Sequence, residues 1–242
     1  MTFVPDWFPD ELAHAGEEHL DETYVPGYDA KSQTDPTADL DALLAAGLDE
    51  SSILVDLGAG TGTFSMAAAP HCRKVIAVDV SPLMLGVLQQ KIDDGGMTTI
   101  ETVRAGFLSY EHHGELADAV YSRHALHHLP DFWKAIALQR IAAMLKPGGI
   151  LFLRDLVYHF EPADAFGVVE NWLSGARADG ATGWTRAELA THLRTEFSPF
   201  SWVLEPMIER CGFRIEHIER QGVIYAAYVC RKAAELDSGS VA

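Results

Sequence analysis

The stretch ILVDLGAGTGTF, residues 53–64, narrows the possible folds more than any other part of the chain. Four of its first five residues are apolar, which suits a strand covered on both faces. It runs directly into Gly58, Gly60 and Gly62 and then into a new apolar segment. A buried strand that ends in a glycine loop and opens a helix is the ligand-binding corner of a doubly wound α/β sheet. The absent side chains let a ligand lie against the backbone. The spacing is GxGxG, not the GxGxxG of dinucleotide folds, and no Lys-Ser/Thr pair follows as in a P-loop. A phosphate cradle is therefore the weaker reading, and Asp56 just ahead of the loop would repel a pyrophosphate while attracting an ammonium group.

The same alternation continues along the chain. Helices near 37–47, 62–70, 82–93 and 131–145 alternate with strands at 53–57, 74–79, 99–104, 117–122 and 150–155. Beyond residue 156 the pattern predicts helices at 162–178, 185–196 and 199–211. Strands at 213–219 and 222–230 follow, joined across Gln221-Gly222 as a hairpin at the edge of the sheet. The expected fold is thus α/β, a doubly wound and mostly parallel seven-stranded sheet that ends in an antiparallel hairpin, with N-terminal and late helical additions. Residues 1–35, rich in acids, aromatics and prolines, read as short helices and loops that form a lid segment. The main domain is expected over 36–232, with a helical insertion at about 160–211 and a tail at 233–242.

Charge and cysteine content exclude several partner classes. With 18 basic and 35 acidic residues the net charge is −17, which repels nucleic acid and anionic lipid at long range. The three cysteines, Cys72, Cys211 and Cys230, are far apart and form no CxxC pair, so neither a disulfide framework nor a cysteine zinc site is expected. No run of apolar residues reaches the length of about 20 that spans a membrane, and the first residues carry no basic, apolar export signal. A cytoplasmic protein without nucleic-acid or membrane partners is the expectation. The oligomeric state is not legible.

In VIAVDVS, Asp79 ends the second strand, where a carboxylate can accept hydrogen bonds from both hydroxyls of a ribose. The other job open to it, capping the next helix, belongs better to Ser81 ahead of Pro82. From here the chain resembles the class I S-adenosylmethionine-dependent methyltransferases. The resemblance covers roughly residues 37–156 and rests on VDLGAGTGTF, VIAVDVSPLML, DAVYSRHALHHLPD and LKPGGILFLRD in that order. It implies S-adenosylmethionine as cofactor. Asp56, Gly58, Ala59, Gly60 and Gly62 would hold its methionine portion and Asp79 its ribose, with Val80, Ser81, Leu83 and Met84 flanking the adenosine. Arg123 and His128 would help shape the pocket. Tyr24 and Tyr28, in a segment reading YVPGYDAK, would fold over the cofactor. The chain departs from the family in RAGFLS, where Gly106 stands in place of an acid that receives the adenine amino group. Backbone atoms around Gly106 and Phe107, or an aromatic face, would have to make that contact.

Candidate acid/base groups lie after the fourth and fifth strands: His124, His127 and Asp155. Arg154 and Asp155 could alternatively be a structural ion pair with each other. His112 and His113 read as exposed and inert. The HxxHH spacing of His124, His127 and His128 could bind a metal, but no carboxylate or cysteine completes the set at matching spacing, so no metal is expected. Phe197, Phe200 and Trp202 read as core aromatics, one or two of which could line an acceptor pocket. The functional expectation is methyl transfer to a small organic molecule by in-line displacement. The alternatives are a protein or peptide methyltransferase, a non-catalytic module that binds the cofactor or its product, and, disfavoured by the glycine spacing, a nicotinamide dehydrogenase.

Overall fold

The computed structural model describes residues 5–178 and 182–233. Seven strands, β1 (Ile53–Leu57), β2 (Lys74–Asp79), β3 (Ile100–Arg104), β4 (Ala117–Arg123), β5 (Leu145–Leu156), β6 (Phe213–Gln221) and β7 (Tyr225–Lys232), form one sheet. Their order is β3-β2-β1-β4-β5-β7-β6, with β7 antiparallel to both neighbours and the other strands running one way. The order reverses between β1 and β4, which opens a crevice at their carboxyl ends. The fold is the expected doubly wound, Rossmann-like sheet closed by an antiparallel hairpin.

Alternation along β1 shows why both its faces are apolar. Ile53, Val55 and Leu57 enter one core layer, shared with Leu138 and Ile141 of α5 (Asp131–Met144) and Leu204 of α8 (Ser201–Arg210). Leu54 enters the other, with Leu43 of α2 (Thr37–Ala45), Phe64 of α3 (Thr63–Ala68) and Leu88 of α4 (Pro82–Gly95). Ser81 caps α4 by accepting from the Met84 amide at 3.2 Å, as its position before Pro82 predicts.

Several element boundaries differ from the sequence expectation, four of them for a visible physical reason. β5 begins at Leu145, which pairs with Ala117, but the next pairing is Ile150 with Ala119, so the Pro147-Gly148-Gly149 stretch bulges out of the ladder. The helix expected over 162–178 is a 3₁₀ turn at Pro162–Asp164 followed by α6 (Ala165–Ser174), which stops at Gly175. α7 (Arg186–Thr195) starts one residue late because Thr185 forms a capping box with Glu188. β6 runs through Gln221, so the hairpin turns at 222–224 instead of across Gln221-Gly222.

The N-terminal segment consists of 3₁₀ turns at Glu11–His14, Glu17–Leu20 and Val25–Gly27 and the short α1 (Tyr28–Ser32). It lies over the carboxyl ends of the strands. The Ser81 hydroxyl donates to the His19 carbonyl (2.7 Å), Lys91 pairs with Asp29 (2.6 Å), and Thr61 bonds Asp29. Trp7 stacks on Trp133 of α5. All three cysteines are buried and free. Among the described residues no helix is long and apolar enough to cross a membrane. Of the expected tail, residues 234–242 lie outside the described part.

Candidate active site

The crevice at the sheet's reversal point is roofed by the N-terminal segment and becomes a cavity. Its floor is Gly58, Gly60, Asp79 and Val80; Met84, Phe107 and Leu129 make an apolar wall; Arg123, His124 and His128 close the far side. Glu11, His14, His19 and Tyr28 form the roof.

The glycine loop is fixed by two amides, Gly58 N and Ala59 N, which both donate to the Val78 carbonyl at 2.9 and 3.0 Å. Gly58 has φ +77° and is pressed against Ala125, so a side chain there would collide. Gly60, at φ +54°, faces open space, and a side chain on it would stand in the cavity. Asp79 accepts from Gly60 N and Ser81 N, both at 2.8 Å and one on each carboxylate oxygen. Each oxygen keeps a lone pair for another donor. Burial raises the Asp79 pKa, against the pull of these amides.

Glu11 reaches into the same cavity from the roof. Its carboxylate accepts from Leu108 N (2.8 Å), Ser109 N (2.9 Å) and the Ser109 hydroxyl (2.6 Å) and fills the space where a side chain on residue 106 would be. On the far wall, His124 has φ +50°, a left-handed conformation that costs a non-glycine residue of the order of 1–3 kcal/mol. Its buried Nδ1 and the buried Nε of Arg123 have no hydrogen-bond partner among the described residues. Burial pushes the His124 pKa down to about 3, so its imidazole is neutral at pH 7. An orphaned donor, an orphaned ring nitrogen and a backbone cradle with room above Gly60 fit a polar ligand with an apolar end.

Behind the His128 wall lies a second, buried polar cluster. Asp155 bonds the Nδ1 of His127 and accepts the His127 amide at 2.9 Å. His127 Nε2 stands 2.9 Å from a Glu196 oxygen that also contacts His192 Nδ1, and His192 Nε2 is 2.9 Å from the Ser198 hydroxyl. Burial alone would lower the His127 pKa, but the charges and hydrogen bonds of Asp155 and Glu196 carry it up to about 9. His128, buried beside His127, is driven well down, by burial first and its charged neighbour second.

Comparison with known proteins decides what the fold and cavity belong to. Residues 54–149 match the family described as "Methyltransferase domain". An uncharacterized methyltransferase of Exiguobacterium sibiricum is 30% identical over 164 residues, which cover 68% of this chain and 69% of that protein. The chain belongs to the class I S-adenosylmethionine-dependent methyltransferases. The cypemycin N-terminal methyltransferase of a Streptomyces species is 36% identical over 137 residues, covering 55% of this chain and 54% of that protein. Among solved structures, the cyclopropane synthase MmaA2 from Mycobacterium tuberculosis superposes with a TM-score of 0.68 over 94% of this chain and all of that one, at 14% identity. The N-methyltransferase NodS from Bradyrhizobium japonicum, in complex with S-adenosyl-L-homocysteine, gives 0.56 over 81% and 86%, at 18% identity. The chain is an enzyme, and its cofactor is S-adenosylmethionine.

Within this methyltransferase, the expected site residues Tyr28, Gly58, Gly60, Asp79, Val80, Met84, Gly106, Phe107, Arg123, His124 and His128 border the cavity. Six expected cofactor residues do not, Ser81 and Leu83 at the start of α4 among them. Asp56 is turned into the core, where its carboxylate accepts from Ser65 at 2.6 Å, because it shares the Leu54 face of β1. Ala59 packs on the core layer beneath the loop, and Gly62 is wedged against Leu88. Tyr24 sits outside Tyr28, under the Lys31 ammonium. Of the acid/base candidates only His124 faces the cavity; His127 and Asp155 belong to the cluster behind it. Arg154 and Asp155 do not pair with each other, since neighbours on a strand point to opposite faces. Arg154 instead bonds Asp39 (2.7 Å) and Glu219 (3.0 Å). His112 is partly buried, held by Tyr110 and the Glu115 carbonyl, while His113 is exposed as expected. Phe200 packs with Tyr158 and Phe160, whereas Phe197 and Trp202 are exposed. Sequence reading missed Glu11 and Asp39, whose partners are far off in the chain, and the His192–Glu196 pair on one face at the end of α7, which meets His127 only in the fold.

Proposed function

We propose that this enzyme transfers a methyl group to a small organic acceptor by in-line displacement in the cavity beneath the N-terminal segment. The carrying observation is the roofed crevice that joins the open backbone at Gly60, the free lone pairs of Asp79 and the carboxylate of Glu11. Bound there, S-adenosylmethionine supplies a methyl group on a positively charged sulfur.

The chain's own groups divide the binding task. Asp79 accepts from the ribose hydroxyls. Glu11 accepts from the adenine amino group in place of the acid that Gly106 lacks, and Phe107, Met84 and Leu129 flank the base. Arg123 offers its unpaired Nε to the cofactor's carboxylate. The neutral His124 is free to accept a hydrogen bond from the acceptor at the cavity wall through its unpartnered Nδ1. The roof of His14, His19 and Tyr28 excludes water and holds the acceptor in line with the sulfur, which is where most of the rate comes from in such a displacement.

The test is calorimetry with S-adenosylhomocysteine, then a methyl-release assay over small amines, phenols, thiols and carboxylates and a panel of peptides. One saturable site and turnover of a small acceptor is the expected result. Turnover of peptide N-termini alone would favour the second reading, which the cypemycin N-terminal methyltransferase motivates. Binding with no turnover of any acceptor would favour a non-catalytic module.

A further inference from the structure

The cluster behind the His128 wall has no task in the cofactor chemistry, and it has the make-up of a metal centre. The Nε2 of His127, the Nδ1 of His192 and a Glu196 oxygen lie within 4.8 Å of one another. Their side chains are only 5%, 11% and 16% exposed. His192 on α7 and Glu196 just past its end are four residues apart, so they share one face, and that face meets the turn that carries His127. In both imidazoles the nitrogen that points away from the centre is held: His127 Nδ1 by Asp155, His192 Nε2 by Ser198 at 2.9 Å. A partner that fixes the far nitrogen of each ring, so that the near one aims at a common point, is the usual surrounding of metal-bound histidine.

We infer that His127, His192 and Glu196 bind one divalent transition-metal ion of the zinc class, with Asp155 and Ser198 orienting the two imidazoles. Two ring nitrogens and one carboxylate suit zinc, cobalt or iron in preference to calcium or magnesium, which take oxygen ligands. The charge also balances: an ion that displaces the proton from His127 leaves both rings neutral, and its two positive charges cancel those of Asp155 and Glu196 in the site. Three protein ligands leave at least one coordination position open. The ion would fasten α7 to the turn after β4, whose next residue, His128, borders the cofactor cavity. The spacing argument against a metal within HxxHH thus does not apply here, because only one of those three histidines is a ligand and the carboxylate comes from a helix far along the chain.

The test uses the full chain, stripped with a chelator and titrated with Co²⁺ and then Zn²⁺. One equivalent of Co²⁺ should bind with the visible absorption of a four- or five-coordinate site and be displaced by Zn²⁺. His192→Ala and Glu196→Gln should each weaken binding at least about 100-fold, and Asp155→Asn by about 10- to 100-fold. Each variant is also titrated with S-adenosylhomocysteine, which reports an intact fold and tests the methyltransferase reading separately. A variant that keeps this ligand but loses the ion supports the inference. No saturable Co²⁺ binding by the wild type overturns it, even if S-adenosylhomocysteine binds. So does unweakened binding in folded His192→Ala, or a thiolate charge-transfer band, which would put the ion on a cysteine.

Discussion

Glu11 holds its carboxylate where the side chain of residue 106 would be, so the missing acid after β3 and the acid of the N-terminal segment occupy one place. A side chain on Gly106 and the present position of Glu11 exclude each other.

That exclusion makes a swap experiment decisive for the adenine contact. Glu11→Ala should weaken S-adenosylhomocysteine binding by about 10- to 100-fold, the value of a hydrogen bond to a charged group. Gly106→Asp alone should also bind poorly, because the new carboxylate collides with Glu11. Combined, Glu11→Ala/Gly106→Asp should recover much of the affinity. The hypoxanthine analogue of the ligand, which lacks the amino group, should lose affinity for the wild type and the double variant but not for Glu11→Ala. Equal discrimination by Glu11→Ala, read by calorimetry, would remove Glu11 from the adenine site.

Asp79 is predicted to matter more than any other single side chain for the ribose. Asp79→Ala removes an acceptor for two hydroxyls and also frees the Gly60 amide, and charge-assisted hydrogen bonds are worth about 1.5–3 kcal/mol each. Cofactor affinity should fall by at least about 100-fold while the circular dichroism spectrum stays unchanged. Affinity within threefold of wild type would contradict the assignment.

Asp56 sets a pH dependence of stability. Burial, opposed by the Ser65 hydroxyl and reinforced by the Asp79 charge, raises its pKa from 3.8 to about 7. The folded state therefore holds this proton more tightly than the unfolded chain. Stability from this group is greatest below pH 3.8 and declines as pH rises toward 7, then levels off. Asp56→Asn keeps a partner for Ser65 and removes the titration. It should match the wild type at pH 4 and exceed it by about 1–3 kcal/mol at pH 8 in denaturant melts. Parallel stability curves for the two proteins from pH 4 to 8 would show that Asp56 does not titrate in the folded state.

A buried ion cluster anchors the far wall of the cavity. Asp39, 1% exposed, accepts from Tyr121 (2.8 Å), Arg154 (2.8 Å) and Arg123 (3.0 Å). Asp39→Ala leaves two arginines without their shared carboxylate, and breaking a buried pair from one side costs about 3–5 kcal/mol. Chemical denaturation should show that loss. Cofactor affinity should fall as well, since Arg123 borders the cavity and loses its anchor. A loss under 1 kcal/mol would mean that the arginines find other partners.

What was legible in the sequence was local. The apolar run of β1, the glycine loop and Asp79 at the end of β2 fall within 27 residues and carry their own periodicity, so the fold and the floor of the cavity could be read directly. Glu11 meets Leu108 across 97 positions, and Asp39 meets Arg154 across 115. No pattern in the chain marks such pairs, because only the sheet order brings them together. Arg154 and Asp155 misled for the opposite reason: adjacency in sequence suggested a pair, and the pleat sent them to opposite faces. Asp56 was placed by its motif, yet the same strand alternation that buries Leu54 carries it into the core.

The N-terminal segment is predicted to work as a closing lid, not as fixed packing. From Tyr24 to Lys31 its polar ties run to the glycine loop, to α4 and to α7: Thr61 and Lys91 hold Asp29, and Lys31 bonds Glu188 while lying 4.8 Å over the Tyr24 ring. Most of these are exposed or half-buried polar contacts, which open more readily than apolar packing. Tyr28 and His19, in edge-to-face contact, border the cavity from above, so a bound cofactor adds its surface to the segment's own anchoring. Deleting residues 1–30 should leave a folded sheet domain with weakened cofactor binding and little transfer activity. In the intact chain, S-adenosylhomocysteine should slow proteolytic cleavage between Tyr24 and Lys31 by tenfold or more. If the segment merely docks, cleavage there will be equally slow with and without the ligand, and the deletion will chiefly lower the melting temperature.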